Sequence, residues 1–427
     1  MIVLQLKRRR KRLSSIDFFF FSSSSSSPAD SIWVSELKGL PKTTNLNLLS
    51  GDRISNNISD LIRVSLSMNP NIWKKLPEHI LEVSILPYLP AQTLLLFRSI
   101  CRKWKNLIDS PSFLDNHHNQ QSLRRFGKQP WLLMFKQQDR SCCRVYDVLL
   151  NKWGTLSLSF LRTNQYVLEV VSVSHGLICF RYAISGSLMI CNPITKMWKV
   201  LYYKHPRKSP ISMVYEPFSK SFKILITGSE SDSFSTDTVL YDSITDRWKK
   251  AANLPFKTEL KSEAPYCDGT FYFTTSEPIH ILAYNISTDI WLDIPAPTCP
   301  GQRLTYASVA ANGRFVFLIA GLGVHGIVKS LSIWKLHKRS MEWIEVLRMP
   351  DIMCKKFLSM CYHTYKHICC ISHDDYICLF CSTSPEVLLY KISRGTWHWL
   401  PECPFLSAKK SGGFSWYSFD PDLRPFL

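Results

Sequence analysis

At 427 residues the chain is longer than one typical domain, and its 45% hydrophobic and 20% charged residues suit a globular protein with a substantial buried core. Its 14 cysteines lack a credible secretory leader, which points to a reducing nucleus or cytoplasm and away from a secreted disulfide scaffold, and no run approaches the ~20 apolar residues of a membrane helix. The formal charge of +19 is scattered singly or in pairs except for one run at residues 7–12, so it reads as a generally basic surface and not as a dedicated nucleic-acid face.

Residues 1–70 hold that basic run, a Phe tract at 18–21, a serine run at 22–27 and Asn/Ser-rich sequence, too little apolar surface to offset chain entropy. They are predicted to be a disordered tail. The basic run has the composition of a nuclear import signal, and the Arg- and Ser-rich, acid-poor start shares features with organellar transit peptides. Within the tail, Ile54, Ile58, Leu61 and Ile62 fall at helical spacing behind Asp52, an N-cap residue type, and predict one short amphipathic helix suited to docking or dimerisation.

Residues 71–117 change character. Leu76 and Pro77 open a helix with Glu78 near its positive end, Ile80, Leu81, Ile85 and Leu86 form its apolar stripe, and Pro87 and Pro90 end it. A second short helix carries Leu94, Leu95 and Phe97, and a third carries Ile100, Trp104, Leu107 and Ile108. Three helices this short cannot close a large core, so the unit is predicted to cover its apolar surface with a partner or a neighbouring domain.

From about residue 129 helical spacing gives way to short β-rich runs separated by Gly, Pro, Asn, Asp and Ser. Aligning tryptophans reveals a repeat: Trp153, Trp198, Trp248, Trp291, Trp343 and Trp397 are separated by 45, 50, 43, 52 and 54 residues. In five units the Trp follows Tyr146, Cys191, Tyr241, Tyr284 or Tyr390 by seven residues; in the fifth unit the offset from Trp334 is nine, which reads as a longer turn. The Tyr-Asp, Tyr-Asn or Cys-Asn pairs suit Asx-type turns, so the repeat is structural, with each indole buried. Four antiparallel strands per repeat, copied six times, make a six-bladed propeller. Residues 116–129 are too polar to supply an inner strand for the first blade, whereas a β-rich run at 414–419 is left over at the end. That tail strand is predicted to close the ring in the first blade.

Residues 71–117 resemble the F-box, the adaptor-binding motif of Skp–cullin–F-box ubiquitin ligases. The resemblance rests on Trp73, Leu76, Pro77, Ile85, Leu86, Leu89, Pro90, Leu94, Phe97, Arg98, Ile100, Cys101, Trp104, Leu107, Ile108, Pro111 and Phe113. The stretch from Leu76 and Pro77 to Leu89 and Pro90 is about one residue longer than in that motif. The repeats resemble the kelch type that follows the F-box in many plant members, without the paired glycines and with isolated ones such as Gly228 and Gly321. Together the resemblances imply a non-catalytic substrate receptor with no cofactor. The F-box would dock on a Skp-type adaptor, and through it a cullin, using those residues from Leu76 to Ile108 together with Ile80 and Leu81. Lys74, Lys75, Arg98, Arg102 and Lys105 would ring the contact, and the propeller rim would hold an unknown target protein. The expected layout is an α+β multidomain chain: tail 1–70, three-helix F-box 71–117, linker 118–128 and all-β, kelch-like six-bladed propeller 129–427.

Other chemistry is weaker. Cys361, His363, His367, Cys369, Cys370, His373, Cys378 and Cys381 invite a zinc reading, but Cys378 and Cys381 sit three apart in a strand and face opposite sides. Catalysis would need carboxylates converging on the channel, and Asp147, Asp242, Asp246 and Asp289 recur instead in repeat turns. The alternative reading is a nuclear nucleic-acid-binding or transcriptional-cofactor propeller using its basic surface, which salt-sensitive binding without adaptor binding would reveal.

Overall fold

The computed structural model describes residues 77–123 and 130–424, apart from 90, 137–138, 149, 162–167, 204–208, 217–218, 229–235, 262–263, 277, 362–364 and 407–412. The expectations for residues 1–70 lie outside the described residues, as do Trp73, Lys74, Lys75, Leu76 and Pro90.

In the helical module Pro77 stands just outside the first helix, its carbonyl accepting the Ile80 N–H at 3.0 Å. The chain then forms α1 (Glu78–Ile80), a π-helical turn (Leu81–Ile85) and a 3-10 turn (Leu86–Tyr88). A π turn takes up one more residue than an α turn, so it absorbs the extra residue noted in this stretch. Pro87 therefore does not end the helix as expected. It sits in the first turn of the 3-10 segment, where its missing N–H costs little, and Leu86 and Pro87 are buried.

Two further helices, α2 (Ala91–Arg98) and α3 (Arg102–Ile108), follow. The third starts at Arg102 and not at Ile100, because Cys101 is extended and its sulfur accepts the Trp104 N–H at 3.4 Å as an N-cap. The Cys-x-x-Trp spacing is thus a cap with the indole folded back onto Phe97, ring centroids 4.9 Å apart. A fourth helix, α4 (Pro111–Leu123), runs into the polar stretch read as linker. Ser110 caps it by accepting the Phe113 N–H at 3.4 Å, Pro111 is its first residue, and His117 Nε2 lies 3.0 Å from the Leu89 carbonyl.

The propeller comprises six four-stranded antiparallel sheets. Blade 1 contains β1 (Trp131–Lys136), β2 (Asp139–Asp147) and β3 (Lys152–Ser157); blade 2 contains β4 (Leu168–Ser174), β5 (Leu177–Tyr182), β6 (Leu188–Asn192) and β7 (Met197–Leu201). Blade 3 contains β8 (Ile211–Glu216), β9 (Ser221–Thr227), β10 (Thr238–Asp242) and β11 (Arg247–Ala251); blade 4 contains β12 (Tyr266–Cys267), β13 (Thr270–Thr274), β14 (Ile281–Asn285) and β15 (Ile290–Ile294). Blade 5 contains β16 (Arg303–Ala311), β17 (Val316–Val324), β18 (Ile327–His337) and β19 (Glu342–Arg348); blade 6 contains β20 (Ile368–His373), β21 (Tyr376–Cys381), β22 (Val387–Lys391) and β23 (Thr396–Trp399). Apolar cores lie between neighbouring blades, as between 2 and 3 or 5 and 6. Helical spacing does not vanish after residue 129: α5 (Asp351–Met360) joins blades 5 and 6 and buries Cys354, Phe357 and Leu358 in their shared core.

The last strand, β24 (Phe414–Phe419), pairs antiparallel with β1 from Trp131↔Phe419 to Lys136↔Phe414 and is the innermost strand of blade 1, as predicted. Beyond it the chain continues along blade 2. Asn192 donates to the carbonyls of Asp422 and Arg424 at 3.1 and 3.2 Å, and a Cβ on Gly176 would lie 2.9 Å from that of Asp422, so only glycine admits the tail there.

Asp420 ties three blades at this seam: its carboxylate lies 3.2 Å from His175 Nδ1 and 3.0 Å from His373 Nε2, while the Ser418 hydroxyl lies 2.8 Å from His373 Nδ1. Burial alone would raise the Asp420 carboxyl, but the charge of His373 and hydrogen bonds from both histidines hold it well below the usual carboxylate range. A depressed carboxylate stabilises the fold above its unfolded pKa, and the contribution fades as pH falls through the folded one. Asp420→Asn is therefore expected to lower Tm at pH 5 to 7, and in melts carried down to about pH 2 the gap from wild type should begin to narrow only below about pH 4.

Each outer hairpin repeats one device. The residue two before the Trp is left-handed in all six blades: Asn151, Lys196, Asp246, Asp289, Met341 and Gly395. In blades 1, 3 and 4 that residue is Asn or Asp and accepts a hydrogen bond from the tyrosine hydroxyl seven before the Trp, as Tyr284 to Asp289 at 2.7 Å. Blade 5 has no longer turn: Trp343 pairs with Leu336, seven earlier, and Trp334 lies at a bulge opposite Glu345.

In blades 3 and 4 the buried member of the pair is the Tyr, not the Trp. Tyr241 and Tyr284 are fully buried, whereas Trp248, Trp291, Trp343 and Trp397 are half-buried and Trp198 is 49% exposed; Trp153 alone is buried. Asp289 Oδ1 accepts the Ala252 N–H at 2.9 Å and Trp291 Nε1 donates to the Ala252 carbonyl at 2.8 Å, so the pair clasps the end of blade 3. Trp153 likewise donates to Pro401 of blade 6 at 3.0 Å. Trp291→Ala should then cost about 2 kcal/mol and Trp198→Ala under about 1 kcal/mol in denaturant melts. Equal losses at both positions would refute the clasp.

Candidate functional site

The helical module has an outward apolar edge and a separate interior. Pro77 is exposed, Ile80 and Leu81 are half-buried, and beside them Val83 is 64% and Tyr88 44% exposed. Leu86, Leu94 and Ile108, also of the predicted contact set, are fully buried. Ile85, Leu89, Phe97, Arg98, Ile100, Trp104 and Leu107 are half-buried, and Cys101 is exposed as a cap. Val83 and Tyr88 were missed although they stand three residues after Ile80 and seven after Leu81, respectively, spacings that put them on the same helix face.

The expected ring of positive charge is partly engaged. Arg98 forks onto Asp109 at 2.7 and 3.1 Å, Lys105 lies 3.5 Å from the same carboxylate, and Lys103 lies 3.3 Å from Glu82, while Arg102 is exposed. Such pairs near the surface contribute little stability, and their main effect is to orient the donors along α2 and α3.

In the propeller, the inner strands surround a channel of about 4210 Å3. The four repeat-turn acids stand outside it and act structurally. Asp147 accepts from the Leu150 N–H at 2.9 Å and the Trp131 indole at 3.1 Å, and Asp242 accepts from the Ile244 N–H at 2.9 Å. Within the channel, Arg181 pairs with Glu169 at 2.7 Å. At one rim, β17 and β18 form the longest hairpin, with Ile327 exposed at its tip; α5, with Ile352 exposed, opens on the same rim because successive strands alternate direction.

Among the described residues no group of three His, Cys, Asp or Glu side chains has metal-holding geometry. Cys378 packs in the core between blades 6 and 1 and Cys381 in that between blades 5 and 6, the opposite faces that strand alternation requires.

Residues 73–116 match the F-box domain family, and residues 128–393 match the F-box associated beta propeller domain family. An F-box/kelch-repeat protein of Arabidopsis thaliana is 34% identical over 84% of this chain and 89% of its own length. F-box only protein 6 of Arabidopsis thaliana is 27% identical over 82% of this chain and 74% of its own. The Arabidopsis protein UNUSUAL FLORAL ORGANS is 24% identical over 83% and 84%, respectively.

Proposed function

Because the chain belongs to the family of F-box proteins that carry an F-box associated β-propeller, we propose that it is the non-catalytic substrate receptor of a Skp–cullin–F-box ubiquitin ligase in the nucleus, the cytoplasm or both. The observation that carries this reading is the apolar edge of Pro77, Ile80, Leu81, Val83 and Tyr88 on a module too small to cover it. That edge suits docking on a Skp-type adaptor and, through it, a cullin. The propeller offers long loops on a rigid ring, which suits capture of a target protein.

Affinity purification of full-length protein against a variant lacking residues 71–123 tests the division of labour. The deletion should lose adaptor and cullin while enriching a target that is no longer degraded. Retention of the adaptor by the deleted protein would overturn the assignment of the docking site.

A further inference from the structure

Blade 4 has a two-residue inner strand, and the irregular segment before it lies along the channel where other blades have β-structure. Lys261 is fixed there by its N–H to the Thr274 carbonyl at 2.8 Å, and Ala264 by its N–H to Ser212 Oγ at 2.8 Å. The Lys261 side chain reaches across to blade 5. Its Nζ donates to the Ala307 carbonyl at 2.6 Å and lies 4.4 Å from the centre of the Tyr306 ring.

An ammonium has three donors, and this one, partly buried in the channel wall, has a single carbonyl as hydrogen-bond acceptor and an aromatic face beside it. Three other lysines of the propeller hold carboxylates: Lys223 has Glu216 at 3.0 Å, Lys199 has Asp246 at 2.7 Å, and Lys338 has Asp268, whereas Lys335 and Lys391, like Lys261, lie over aromatic rings. Lys261 has no carboxylate among the described residues, and burial lowers its pKa, an effect that the neighbouring Cys369 and Cys370 offset only in part. Tyr306 is 2% exposed, and its hydroxyl has the Ser308 side chain as a neighbour. A partly buried charge so short of partners is costly, and sites of function retain such charges.

We propose that Lys261 is the anchor of a carboxylate-binding site inside the channel, with Tyr306 forming its wall. The carboxylate has two sources, a free organic acid or an Asp or Glu side chain of a bound protein, and the site does not depend on the ligase reading.

The test uses full-length protein and its Lys261→Met variant, whose apolar side chain removes the desolvated charge and so preserves the fold. Thermal melts are run in sodium succinate and in an acetylated, amidated Gly-Glu-Gly peptide, each against sodium chloride at equal ionic strength. At tenfold excess over its dissociation constant a bound carboxylate should raise the wild-type Tm by ~2 °C over chloride, with no rise in Lys261→Met. Saturation by succinate alone assigns the site to free acids, and saturation by the peptide assigns it to a protein side chain. Equal shifts in both proteins, or none beyond chloride in the wild type, would overturn the proposal.

Discussion

A chain ending at residue 410 is expected to yield no stable propeller. The cut removes β24, whose Phe414, Trp416 and Phe419 are buried to within 2% of full burial, and with it the whole register against β1. Losing one buried aromatic costs ~3–5 kcal/mol, so three together match or exceed the ~5–15 kcal/mol that holds a typical domain. The cut also frees the Ser382 carbonyl that receives the Phe414 N–H at 2.7 Å, and the Val170 carbonyl that receives the Tyr417 hydroxyl at 3.1 Å. It leaves β1 as an open edge prone to aggregation. A second chain ending at residue 420 keeps β24 and loses only the tail that Asn192 holds, so it should fold with Tm lowered by several degrees. Circular dichroism and size exclusion of the two truncations against the full chain read the difference. If the chain ending at 410 melts with the full-length protein, the closing strand is not what holds the ring.

The parts legible in the sequence were those written in period and in imbalance. Six tryptophans at blade-length intervals, together with a missing first strand matched by a spare last one, sufficed for the ring and its closure. What escaped depends on neighbours that the sequence does not display. The indole was expected inside because its repeat reads as structural, but Tyr284 occupies the core position and Trp291 instead reaches to Ala252 of another blade. Trp334 drew the blade 5 alignment to itself because Leu336, the true partner of Trp343, is not aromatic. Helix α5 did carry a signal, Cys354, Phe357, Leu358 and Cys361 at helical spacing, overlooked inside a β-rich region. Ser110 and Pro111 likewise mark the start of α4, hidden by the polar residues that follow. Lys261 had no signal at all. Its standing as a cation without a carboxylate arises from how blade 4 meets blade 5.

Leu81→Asp, on the apolar edge of the helical module, is expected to abolish adaptor binding without disturbing the fold, whereas Leu94→Ala should impair binding by unfolding the module. Leu81 is half-buried beside the exposed Val83 and Pro77, so a partner would complete its burial, and a carboxylate there would be desolvated without a counter-charge. Central anchors of such contacts are worth ~2 kcal/mol or more, which is at least ~30-fold in Kd. Leu94 touches no solvent, and its loss leaves a cavity costing ~2–5 kcal/mol in a unit with little stability to spare. A fragment for direct titration should end at residue 123 and not at 117, because Phe113, Leu114 and His117 of α4 are buried and His117 lies against the Leu89 carbonyl. Calorimetric titration of this fragment and of the full chain with a Skp-type adaptor, alongside melts of each variant, separates the two effects. Wild-type affinity in a folded Leu81→Asp protein would move the docking surface elsewhere, and a folded wild-type chain that bound no adaptor from its own organism would end the receptor reading.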